Sequence, residues 1–144
     1  MYKRQLRDRL ADLKAVLEAQ RRVDLDIPGT EVVLMGHSLG ALTALLASGA
    51  ELVPGMAQRC EAALAGLPLT NLSELLQCEL AAGRVLEGKA IDPPPRAVVG
   101  LNSFGGLIWP HRASRTLPIP LLMVGGTLDL ITPCLLYTSP SPRD

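Results

Sequence analysis

The sequence has no excess of charge of either sign. It carries 14 Lys and Arg against 14 Asp and Glu, which argues against the basic footprint of a nucleic-acid-binding surface. It also has no long apolar run. Even the most apolar region, residues 32–57, is broken by His37, Ser38, Glu51 and several Gly, so no stretch approaches the eighteen or so residues that span a bilayer. Cysteine is scarce, and Cys60 and Cys78 have no histidine nearby and no C-x-x-C spacing, which leaves zinc and thioredoxin-like readings without ligands. The two are read as buried thiols, with a disulfide left open for an exported protein. Internal repeats are absent. Disorder of the middle of the chain is excluded by a composition that is 48% apolar and only 19% charged, with mean hydropathy +0.26.

Both ends stand apart. Residues 1–5, MYKRQ, and residues 134–144, CLLYTSPSPRD, resemble the translation, in opposite orientations, of a transposase-type sequencing-library adapter. Residues 6–133 are then the natural segment, truncated at both ends, with 11 basic and 13 acidic residues. Compartment and oligomeric state are not legible from it.

Within that segment Leu6, Leu10, Leu13 and Leu17 recur at helical spacing, predicting an amphipathic helix over residues 6–20. Residues 21–30 read as a turn. Val32-Val33-Leu34-Met35 predicts a strand covered on both faces that stops at Gly36, and residues 39–50 predict a small-residue helix. Residues 51–95 read as a helical insertion, with helices over 55–67 and 72–82, an Asn71/Glu74 capping pair and a stop at Gly83. Two more apolar runs, 97–101 and 120–124, complete an α/β pattern: a mostly parallel sheet with helices on both faces.

The sharpest motif is Gly36-His37-Ser38-Leu39-Gly40, placed between an apolar strand and an alanine-rich helix. By composition alone G-x-S-x-G turns up in roughly one chain of this length in twenty, so the flanking elements single it out. A serine presented at such a turn occupies a strained backbone, and glycine on either side removes side chains expected to collide with the strand and helix. The helix that follows aims its first amides at the site, Leu39 N–H among them. Ser38 also admits a bland reading as a turn serine. Asp129, after Gly125-Gly126-Thr127-Leu128, admits one as a turn or cap residue.

This pattern resembles the α/β-hydrolase superfamily. The fuller runs GHSLGALTALL, PPRAVVGLNSFGG and PIPLLMVGGTLDLITP look most like predicted dienelactone hydrolases and platelet-activating-factor acetylhydrolase-like esterases. The resemblance implies Ser38 as nucleophile, Leu39 as an oxyanion donor, Gly36 and Gly40 as elbow glycines and Asp129 as the acid. Asn102 and Ser103, where some relatives carry the acid, are not carboxylates. It further implies a serine esterase acting on a small-molecule ester, with no metal and no organic cofactor, and with Phe104, Trp109 and the helical insertion forming an apolar pocket. The same elbow serves acyltransferases, thioesterases and catalytically silent binding domains, and these remain alternatives. His37, beside the nucleophile, is read as a packing or hydrogen-bonding residue, and His111, which precedes Asp129, as a surface or pocket-wall residue. The superfamily order is Ser, acid, His. No histidine follows Asp129, and no loop for a second oxyanion amide precedes the elbow, so the chain itself is expected to hydrolyse esters poorly.

Overall fold

A computed structural model describes residues 2–22, 25, 29, 31–65, 72–82, 88–103, 105–109, 117 and 119–126. Helix α1 (Tyr2–Arg21) buries Leu6 and Leu17, with Leu10 and Leu13 packed beside them, so the leucine spacing sets the inward face. It begins at residue 2 rather than 6. Lys3, Arg4 and Gln5 contain no breaker, and a helix once nucleated adds such residues at little cost.

Strands β1 (Val33–His37), β2 (Ala97–Leu101) and β3 (Leu121–Val124) form a three-stranded sheet in that order, parallel throughout. The α/β class and the parallel sheet therefore stand. In the ladder Leu34 faces Val98 and Val98 faces Leu121, while Gly36, Gly100 and Met123 lie level two residues on. Leu34 and Val98 are buried with helix α2 (Leu39–Ala47), which lies against β1 and β2. On the alternate face Val33, Met35, Leu122 and Val124 are exposed. The expectation that the first strand is covered on both faces is thus not met among the described residues, where β1 is an edge strand. Nor does it stop at Gly36, because the glycine pairs with Gly100 and the ladder continues to His37 and Leu101.

Every residue of α2 from Ala41 to Ala47 is buried, and burying Leu42, Leu45 and Leu46 contributes about 1.5–3 kcal/mol each. The helix ends earlier than expected. Gly49, at φ 85°, donates to Leu46 O and Ala50 donates to Leu45 O, a Schellman pair that needs a residue free to take a left-handed backbone.

Helices α3 (Met56–Ala65) and α4 (Leu72–Ala81) pack on each other. Cys60 and Cys78 are joined by a disulfide with a Cα–Cα separation of 5.5 Å, the alternative left open beside two buried thiols. Asn71 and Gly83, the expected cap and stop of α4, lie outside the described residues. No described helix is long and apolar enough to cross a membrane.

Candidate active site

β1 delivers the chain to the carboxyl edge of the sheet, where the Ser38 N–H donates to Leu101 O at 2.9 Å, one step beyond the β1–β2 ladder. The chain then turns into α2, and the Ser38 carbonyl accepts from Ala41 N–H and Leu42 N–H at 3.1 and 3.2 Å. Two sets of bonds therefore hold Ser38 between strand and helix. Its backbone lies at φ 54°, ψ −117°, a region that costs an L-residue on the order of 1–3 kcal/mol.

Serine at a helix N-terminus usually accepts a hydrogen bond from an amide of the first turn, with its own backbone in the β region. Here the backbone is elsewhere and the side chain makes no capping bond. The strain is thus not offset by the commonest structural use of a serine in this place, and the residue lies half-buried at the carboxyl edge. Leu39 is the first residue of α2, so its amide is one of the first-turn N–H groups that have no carbonyl partner inside the helix.

The two glycines of the motif are not equivalent. A Cβ on Gly36 would overlap the carbonyl carbon and oxygen of Gly40, so the close approach of β1 to the first turn of α2 requires a residue without one. A Cβ on Gly40 would meet nothing within 4 Å. The expectation that both glycines remove collisions is therefore corrected for Gly40. It lines an open groove of about 240 Å³ between α1, β1 and α2, together with Arg9, Asp12, Leu13, Leu34, Met35, Thr43 and Ala44. Ser38 is not among the groove's lining residues.

Asn102, which follows β2, has φ 43°; its N–H donates to Val124 O at 2.7 Å and its Oδ1 accepts from Gly126 N–H at 2.9 Å. It ties the end of β2 to the chain leaving β3, three residues before Asp129. The sequence reading noted Asn102 only for not being a carboxylate. The signal was available, since asparagine is among the few residues other than glycine that tolerate positive φ.

Asp129, Phe104 and His111 lie outside the described residues. His37 is exposed at the last position of β1, on the face that carries Val33 and Met35. Trp109 is 2% exposed within the hydrophobic core, and its indole N–H donates to Glu51 O at 2.7 Å. Among the described residues this is a packing position with little exposed surface. No group of three or more His, Cys, Asp or Glu side chains among the described residues is placed to hold a metal ion. Comparisons with protein-family models, with curated proteins and with solved structures find no match.

Proposed function

We propose that this chain carries the nucleophile elbow of a serine hydrolase of α/β-hydrolase type, acting on small carboxylic esters. The observation that carries the reading is the backbone of Ser38, strained and uncapped at the exit of a parallel strand. Ser38 Oγ attacks the ester carbonyl carbon, and the negative charge that develops on the carbonyl oxygen is held by the Leu39 N–H with the positive end of α2 behind it. Collapse of the tetrahedral intermediate expels the alcohol and leaves an acyl group on Ser38, which water then removes.

Asp129 is the carboxylate assigned to orient the base, on the strength of its place in the sequence after β3. The base itself has no residue in this chain, since both histidines precede Asp129. Ser38 then keeps its proton at neutral pH and is a weak nucleophile, so ester turnover by the chain is expected to be slow.

Chemical rescue tests this directly. Incubation with a fluorophosphonate probe should give slow labelling that added imidazole accelerates, with the adduct mapping to Ser38 and lost in Ser38→Ala. An adduct on another residue, or no adduct at any imidazole concentration, would overturn the assignment and favour a non-catalytic role for the turn.

A further inference from the structure

Arg59 and Gln77 each immediately precede a cysteine of the disulfide, and together they grip both polar groups of one residue. Gln77 Oε1 accepts from Leu107 N–H at 2.8 Å, and Arg59 Nε–H donates to Leu107 O at 2.6 Å. The same guanidinium donates to Pro54 O at 2.6 Å and Val53 O at 2.8 Å, so one side chain spans the approach to α3 and the loop after β2. Gln77 is 1% exposed, and Leu107 lies two residues before the buried Trp109, whose own N–H donates to Gly105 O. Residues 105–109 are therefore held from α3 and α4 at once. The Cys60–Cys78 bond joins the residues that follow Arg59 and Gln77.

We propose that Cys60–Cys78 is a thiol-exchange site, and that its reduction by a small thiol or dithiol releases residues 105–109 from the two helices. The inference does not depend on the chemistry assigned to Ser38. Cys60 is half-buried and Cys78 is buried, so the entering thiolate reaches the sulfur of Cys60. It forms a mixed disulfide there and expels Cys78 as a thiolate. A second thiolate attacks the reductant's sulfur in that mixed disulfide, releasing Cys60 as a thiolate and the reductant as its own disulfide. The protein gains two electrons, the reductant loses two, and each released thiolate takes a proton from water according to its pKa.

Trp109 is the only tryptophan in the chain, which makes its emission a local reporter of this loop. In the full 144-residue chain, dithiothreitol should raise the thiol titre by two, shift the emission to the red and increase acrylamide quenching severalfold, with far-UV circular dichroism unchanged. The Cys60→Ser/Cys78→Ser double variant should show the red-shifted emission from the outset and no response to dithiothreitol. Gln77→Ala should give part of the shift while the disulfide is intact. Two new thiols with unaltered Trp109 emission would overturn the proposal. So would loss of the far-UV helical signal on reduction, because the bond would then secure the whole fold rather than this loop.

Discussion

Gly36 and Gly40 look interchangeable in the G-x-S-x-G motif, and the structure separates them by an amount that equilibrium unfolding can measure. An alanine Cβ at residue 36 would lie on the Gly40 carbonyl, which is backbone and cannot rotate away. Restoring van der Waals separation requires the first turn of α2 to retreat from β1 by roughly 1 Å or more. That turn leads straight into Ala41–Ala47, all buried, so the retreat disturbs a helix packed against β1 and β2. Overpacking costs typically 1–3 kcal/mol where side chains can adjust; against backbone on both sides we expect Gly36→Ala to lose about 3 kcal/mol or more. At residue 40 the added methyl meets nothing within 4 Å, and replacing a helical glycine by alanine restricts the unfolded chain. Gly40→Ala should therefore gain about 0.5–1 kcal/mol. With a urea m-value of about 2 kcal/mol/M, the two midpoints should differ by about 2 M. Gly36→Ala should also slow the imidazole-assisted labelling of Ser38, because the hydroxyl and the Leu39 amide move apart as α2 shifts. Equal destabilisation by the two substitutions, or a larger loss for Gly40→Ala, would refute the asymmetry and the close approach on which it rests.

Ser38→Gly relieves the positive φ and should stabilise the protein by about 1 kcal/mol in urea unfolding while abolishing labelling; a loss of stability would show that the hydroxyl has a structural role. Ser38→Ala keeps the strain and removes no capping bond, so its midpoint should stay within about 0.5 kcal/mol of the wild type. Trp109→Ala removes a core indole that is hydrogen-bonded to Glu51 O and should cost about 3–5 kcal/mol, whereas Trp109 acting as a pocket wall would affect substrate preference more than stability. The Cys60→Ser/Cys78→Ser variant opens a link across an 18-residue separation and should lose about 3 kcal/mol by thermal or urea unfolding.

Local pattern found the elements whose causes are local. The leucines of α1 face the core as their spacing requires, and β2 occupies residues 97–101 because that apolar run sits between Pro93-Pro94-Pro95 and Asn102. The strand–turn–helix arrangement about Ser38 was legible for the same reason, since strand, motif and helix adjoin in sequence. Misreadings arose where a partner distant in the chain decides. Gly36 looks like the end of a strand until Gly100 is set beside it, and the core position of Trp109 is not visible until the Glu51 carbonyl, far away in sequence, accepts a hydrogen bond from its indole N–H. Arg59 and Gln77 meet Leu107 across 48 and 30 residues, a convergence that no spacing within either helix announces. The stop at Gly49 is different, since a glycine followed by non-helical sequence was a readable signal for the end of α2.

Three hydrogen bonds cross the carboxyl edge in sequence: Ser38 N–H to Leu101 O, Asn102 N–H to Val124 O, and Gly126 N–H to Asn102 Oδ1. Parallel pairing makes this possible, because it brings the ends of all three strands to one side, where the departing segments can bind one another. The two ends of the series differ in how firmly they are held. Ser38 is fixed by backbone bonds to β2 and to α2, so its position follows from the register of β1 against β2. A slip of one residue would reverse the faces of Leu34 and Met35 as well as displace the hydroxyl. Gly126, by contrast, is tied among the described residues by a side-chain oxygen on Asn102, which itself bears a positive φ. Among the described residues, then, Ser38 is placed by backbone pairing, whereas the chain leaving β3 is tied to β2 by the Asn102 backbone N–H and side chain.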